Sequence, residues 1–161
     1  MPKELSVFMH GNLIFNQILM FNNIIIVCMG NICRSPTAER LMQGLFPQKK
    51  IHSAGLIARK NQPADAQARH IAKNHHLSLE ENRSRRLTGH LCQMADLILV
   101  MENTHTQKLY RQFPQTRGKV MLFGEWLNKT EIPDPYKHSQ EMFEHVYQLM
   151  EKAAESWQGK I

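Results

Sequence analysis

No run of apolar residues in this chain is long enough to cross a membrane; the longest, Ile24 to Met29, has six residues. The first twenty residues hold scattered apolar side chains, but Asn12, Asn16 and Gln17 interrupt them, so no signal-peptide core forms there. Cysteine is scarce, three in 161 residues at odd spacing. That excludes the disulfide framework of a small secreted domain and fits free thiols in a reducing, cytoplasmic setting. Glycine and proline are few, 8 and 7, and build no repeat or low-complexity tract. Acidic residues are outnumbered, 14 against 20 Lys and Arg, for a formal net charge of +6. Such a surplus admits a polyanionic partner, but no nucleic-acid motif accompanies it, and a phosphate ester on an acidic segment explains the sign equally well. The histidines show no zincin spacing, and Cys28 and Cys33 lack a second ligand pair at zinc-finger distance, so no metal is expected.

What remains is a chain of one-domain size with alternating patterns. Short aliphatic runs at about 23–28, 50–54, 96–101 and 119–122 read as strands. Helical periodicity fills about 36–46, 64–75 and 103–112, and a last helix at about 139–158 carries Met142, Val146, Leu149, Ala153 and Trp157 along one stripe. The alternation predicts an α/β fold: a small doubly wound parallel sheet of about four strands flanked by helices, with its ligand at the carboxyl ends of the strands.

Chemistry concentrates at the first strand end. The run Ile24-Ile-Ile-Val-Cys28-Met-Gly-Asn-Ile-Cys33-Arg34-Ser35-Pro36 passes from strand to loop, and Leu41, Met42 and Leu45 then share a helix face. Ser35 is expected as N-cap and Pro36 at the first helical position. Such a loop aims backbone N–H groups and a helix dipole at one spot suited to phosphate, lined here by Met29, Gly30, Asn31, Ile32, Cys33 and Ser35. Arg34 offers a planar fork for phosphate oxygens, and Cys28 stands where a thiolate attacks phosphorus. Cysteine thiols beside helix N-termini and guanidinium groups ionise at pKa of roughly 3.5–7.5, which makes them nucleophiles at neutral pH. Gly30 lets the backbone approach the anion and is expected to supply a positive φ. Asn31 tolerates left-handed geometry and can brace the loop with its amide. The Ser35 hydroxyl can donate to the Cys28 sulfur. An ordinary buried cysteine before a turn is the alternative; the strand before and helix after the loop weigh against it.

Val27-Cys28-x-Gly30-Asn31-x-Cys33-Arg34-Ser35-Pro36 resembles the active-site loop of the low-molecular-weight protein tyrosine phosphatases. The likeness continues through Ala38-Glu39-Arg40-Leu41-Met42, Ser53-Ala54-Gly55-Leu56, Asp96 to Glu102, Gly118 to Gly124 and Ile132-Pro133-Asp134-Pro135-Tyr136, over roughly residues 22–157. Within the family the chain is most similar to bacterial enzymes that act with capsule or exopolysaccharide tyrosine autokinases. The resemblance implies a metal-free, cofactor-free, cytoplasmic monomer that hydrolyses phosphotyrosine through a cysteinyl phosphate, with such an autokinase as partner. It makes Asp134 the proton donor to the leaving phenolate and then the base for water, and Tyr136 an aromatic wall of the pocket. A phenol of pKa about 10 needs that proton. Taken alone, Asp134-Pro135 is an ordinary turn initiator.

The chain also departs from the family. Where many members brace the loop with a histidine, it has Asn82 before Arg83-Ser84-Arg85-Arg86, so Asn82 is expected to brace through its amide, with Ser53 as a second brace. At the pocket rim, Arg59 and Lys60 stand where relatives often carry apolar residues, and they are expected to favour acidic residues around the phosphotyrosine. Cys33 is either a small buried filler or a resolving thiol that traps an oxidised Cys28 as a disulfide, as in some family members. Cys92 is expected to be buried. Residues 1–20 read as an extension, with translation starting upstream of Met20 as one origin, and residues 21–161 as the single domain. Two other functions are weighed: an arsenate reductase of the same fold, for which only Cys92 is left as a further redox cysteine, and a non-catalytic phosphate-binding module, which would lack the nucleophile or the acid.

Overall fold

The computed structural model describes residues 21–161; the expected extension over residues 1–20 lies outside the described residues. Four strands, β1 (Asn23–Cys28), β2 (Lys50–Gly55), β3 (Leu97–Val100) and β4 (Val120–Leu122), form one sheet in the order β2-β1-β3-β4. Every pairing is parallel, with Cys28 opposite Gly55 and Val27 opposite Val100. Central parallel strands are covered on both faces and so read as unbroken aliphatic runs. Ile24 and Ile26 point to one face and Ile25 and Val27 to the other, all at most 1% exposed.

Helices α1 (Arg34–Leu45) and α5 (Gln140–Glu155) cover the first face with Met42, Val146, Ala153 and Trp157. Trp157 stands beyond the end of α5, fully buried, and its indole N–H donates to Phe123 O at 2.8 Å. Helices α3 (Gly89–Met94) and α4 (Asn103–Gln112) cover the second face with Cys92 and Leu109. Helix α2 (Ala66–Asn74) packs on α5 through Ala68, Ile71, Phe143 and Tyr147 and encloses Cys33.

The expected α/β architecture holds, with differences of detail. The six-residue α3 was absent from the periodicity reading, because so short a helix shows less than two turns of pattern. The buried face of α5 is broader than the expected stripe: Phe143, Tyr147 and Met150 are buried, while Met142 and Leu149 are partly so. This follows from α5 packing against both the sheet and α2. Asp96 precedes β3 rather than joining it, since its carboxylate accepts the Asn22 and Asn23 N–H groups at 3.0 and 2.8 Å and ties off the sheet end. Among the described residues no helix is long and apolar enough to cross a membrane.

The strand order reverses between β1 and β3: β2 is added on one side of β1, β3 and β4 on the other. Parallel sheets open a crevice at the carboxyl end of such a switch point. Cys28 ends β1 there.

Candidate active site

The segment from Met29 to Cys33 loops out of β1, and α1 begins at Arg34. Ser35 is therefore not the N-cap; Cys33 holds that place without a side-chain cap bond. The Ser35 hydroxyl is engaged elsewhere, lying 3.0 Å from Cys28 Sγ and 2.8 Å from Asn31 Nδ2. Since Asn31 Nδ2 donates to Ser35 Oγ, the Ser35 proton is left to donate to the sulfur. The Asn31 backbone N–H points at the same sulfur from 3.3 Å. Two donors thus converge on one sulfur.

Left-handed backbone occurs at Asn31, with φ 56°, and not at Gly30. The positive φ expected of the glycine is taken by the residue whose side chain can hold it. Asn31 Nδ2 also donates to Ser53 Oγ at 2.9 Å, and its Oδ1 accepts the Arg85 N–H at 3.0 Å. With every amide atom engaged, the left-handed conformation is fixed despite its steric cost of about 1–2 kcal/mol. A Cβ on Gly30 would meet only Ile32, at 3.7 Å, within the protein. Gly30 lines the pocket, and its bare Cα leaves that side open.

The brace expected from Asn82 is not made. The hydrogen bonds of Asn82 are backbone ones, its N–H to Leu79 O and its carbonyl from Arg83. Bracing comes from Ser53, which in turn donates to the Glu39 carboxylate, and from the Arg85 backbone. Burial raises the Glu39 carboxyl above its ordinary range, opposed by the Ser53 hydrogen bond and by Arg85.

Arg34 is 3% exposed. Its Nη1 donates to Glu102 Oε1 at 2.6 Å and to Ile132 O at 2.9 Å, while Nη2 lies 3.6 Å from Asp134 Oδ2. Three points of contact from two distant segments fix the plane of the guanidinium. Behind it lies His105, 1% exposed, whose Nδ1 has no hydrogen-bond partner. Burial and then the Arg34 charge push its imidazole down to about 4, so it stays neutral beside the guanidinium.

Asp134 lines the same cleft, with Oδ1 accepting the Tyr136 N–H at 3.1 Å, the Asx-turn that an Asp-Pro pair favours. Tyr136 is exposed at the rim. Cys28, Gly30, Arg34, Asp134, Tyr136 and Arg59 all line one cleft of about 650 Å³. Cys33 lines the cleft and also packs into the core with Ala64, Ala68 and Phe143, and burial, with Asp65 adding, holds its thiol far above the usual cysteine range. Cys92 is fully buried, as expected.

A cysteine under an anion-shaped loop, an orienting arginine and a facing carboxyl agree with known proteins. Residues 23–161 match the family described as low molecular weight phosphotyrosine protein phosphatase. The chain belongs to this family. It is 53% identical over 138 residues to the low molecular weight protein-tyrosine-phosphatase Wzb of Escherichia coli K12, covering 86% of this chain and 94% of that one. To the probable phosphatase AmsI of Erwinia amylovora it is 49% identical over 86% of this chain and 96% of the relative. The solved structure of Vibrio vulnificus Wzb in complex with benzylphosphonate superposes with a TM-score of 0.85 at 48% identity, over 88% of this chain and 99% of that one. The chain is thus a phosphoric monoester hydrolase of the protein-tyrosine-phosphatase kind.

Within this phosphatase site, three contributors were not legible as such in the sequence. Glu102 and His105 lie on the far side of the sheet's switch point from Cys28 and meet Arg34 only in three dimensions. Gly55 lies on β2, where a Cβ would stand 2.5 Å from Met29 O and 3.0 Å from Asn31 N. Only glycine permits that approach, which lets the Leu56 and Ile57 N–H groups bond Cys28 O and Met29 O at 3.0 Å each. The motif Ser53-Ala54-Gly55 carried the likeness, but its role as the floor of the loop depends on strand register.

Proposed function

We propose that this phosphatase hydrolyses protein phosphotyrosine in two displacements through Cys28. The observation that carries the reading is the convergence of Ser35 Oγ and Asn31 N on Cys28 Sγ, in a cleft that Arg34 and Asp134 also line. The Cys28 thiolate attacks phosphorus, and the bond from phosphorus to the phenolic oxygen breaks. Asp134, in its acid form, transfers its proton to that oxygen. Arg34 and the loop N–H groups hold the equatorial oxygens as charge moves onto them. Asp134, now a carboxylate, takes a proton from a water that attacks the cysteinyl phosphate; inorganic phosphate leaves and the thiolate returns, stabilised by the Ser35 hydroxyl. Tyr136 flanks the substrate ring. The benzylphosphonate bound by the Vibrio vulnificus relative, a phenyl ring joined through one carbon to a phosphonate, supports an aromatic phosphate ester as substrate.

Likeness to the capsule- and exopolysaccharide-associated bacterial subgroup supports a tyrosine autokinase as the phosphorylated partner and a cytoplasmic monomer as the working form. Residues 21–161 constitute the catalytic unit and residues 1–20 are dispensable; a chain starting at Met20 that lost activity would contradict this.

The test is phosphate release from a phosphotyrosine and a phosphoserine peptide in EDTA with fresh thiol, comparing the native chain with Cys28→Ser. Release from phosphotyrosine alone, abolished by the substitution, supports the reading. No release from either peptide would return the site to anion binding or to another oxyanion such as arsenate.

A further inference from the structure

Beside the catalytic cleft lies a second one, of about 660 Å³, lined by Ile57, Ala58, Arg59, Lys60, Arg85 and Arg86. The two clefts share Ile57 and Arg59 as a common wall. Four cations line this space; the Arg85 Nε donates to Ser53 O at 3.0 Å and its charge acts on Glu39, while among the described residues Arg59, Lys60 and Arg86 have no carboxylate within 4.0 Å. Like charges gathered with so little counter-charge repel one another and gain the fold nothing. They are also held in place. Ser84 Oγ donates to Arg59 O and accepts the Gln62 N–H at 2.8 Å, Asn61 N–H donates to Ser84 O at 2.7 Å, and Gly55 exchanges hydrogen bonds with Arg85 and Leu87 at 2.9 Å each. The backbone carrying the cations is therefore cross-linked to the floor of the catalytic loop.

We infer that this second cleft is a docking subsite for another phosphotyrosine on the same substrate segment, so that the enzyme prefers multiply phosphorylated chains. Three of the four cations are arginines, whose planar forks match phosphate oxygens, and a phosphate brings close to two negative charges where a carboxylate brings one. Ile57, 61% exposed on the dividing wall, offers an apolar face to an aromatic ring, which a phosphoserine or a glutamate lacks. No reaction occurs in the subsite; it lowers KM by holding the segment while the first phosphotyrosine reacts.

This rests on the phosphatase reading above, and the test separates the two. Initial rates are measured on a singly phosphorylated tyrosine peptide, on versions with a second phosphotyrosine at a range of spacings, and on matched versions with glutamate there. The native chain is compared with an Arg86→Ser variant, which leaves the pocket rim and Cys28, Arg34 and Asp134 in place. At the best spacing the doubly phosphorylated peptide should show a KM about tenfold lower with kcat little changed, and the variant should lose that advantage while keeping its rate on the singly phosphorylated peptide. A gain no larger than the twofold expected from counting two hydrolysable groups would overturn the inference. So would a gain that survives in the variant, or an equal gain with glutamate. No release from the singly phosphorylated peptide by the native chain would instead fail the reaction itself, and the subsite with it.

Discussion

Glu102 holds Arg34 by a 2.6 Å ion pair that joins the end of β3 to the start of α1. The guanidinium that must embrace a phosphate is thus aimed by a residue 68 positions away. Removing the carboxylate in Glu102→Ala leaves the Arg34 charge buried with a freer plane. Charged hydrogen bonds of this kind contribute about 1.5–3 kcal/mol, so kcat/KM should fall roughly 10- to 100-fold. Because Arg34 acts on the phosphate, the loss should be equal for p-nitrophenyl phosphate and phenyl phosphate in steady-state assays.

Asp134→Asn should behave differently. The lost proton donor matters in proportion to how poorly the leaving group departs, so burst-phase phenol release should fall about 10²- to 10⁴-fold for phenyl phosphate and much less for p-nitrophenyl phosphate. Equal losses on both substrates would place Asp134 outside the proton transfer.

Gly55→Ala tests the floor of the loop. The new Cβ meets two backbone atoms of the catalytic loop, Met29 O and Asn31 N, which cannot swing aside as a side-chain end would. Overpacking of this sort costs about 1–3 kcal/mol. A lower Tm together with weaker competitive inhibition by inorganic phosphate is expected; a lower Tm with unchanged inhibition would separate the glycine from the loop.

His105 gives stability a pH dependence. Its imidazole ionises near 6.5 when unfolded and at about 4 in the fold, where burial and then Arg34 oppose the charge, as does Lys108, while Glu102 and Asp134 favour it. Between those values the unfolded chain binds the extra proton, so this contribution is complete above pH 6.5 and is lost as pH falls towards 4. Denaturant melts of the native chain and His105→Gln across that range should show a shallower acid-side decline in the variant.

Peroxide should convert Cys28 to the sulfenic acid, which condenses with the Cys33 thiol to a disulfide and water. Thiol added afterwards should restore the native chain, whereas Cys33→Ala should recover only in part, having lost protection from sulfinic acid. Full recovery in Cys33→Ala would leave Cys33 as core filler.

How much of this was legible before folding depended on how local each feature is. The β1 run announces a strand buried on both faces, and the spacing from Cys28 through Arg34 to Pro36 announces the loop and helix that follow, since strand, loop and helix are neighbours in the chain. Asp134-Pro135-Tyr136 was legible only through likeness to a family, as nothing within the tripeptide says which wall it joins. Asn82 misled for the same reason in reverse: its alignment position suggested a brace, but the fold gives that contact to Ser53 and to the Arg85 backbone. Ser35 fitted the rule for helix caps, and a thiol at 3.0 Å claimed its hydroxyl instead.

By itself, then, the sequence determined the four strands, the helices long enough to show their period, and the residue types of a thiolate phosphatase loop, because hydrophobic periodicity and short-range turn chemistry act between near neighbours. Tertiary structure alone decided which atoms converge. Parallel register sets Gly55 under the loop, the strand-order reversal brings Glu102 and His105 to Arg34, and the bridge between residues 55 and 86 gathers four cations beside the catalytic cleft. Those juxtapositions depend on contacts between residues tens of positions apart, which pattern within a segment does not encode.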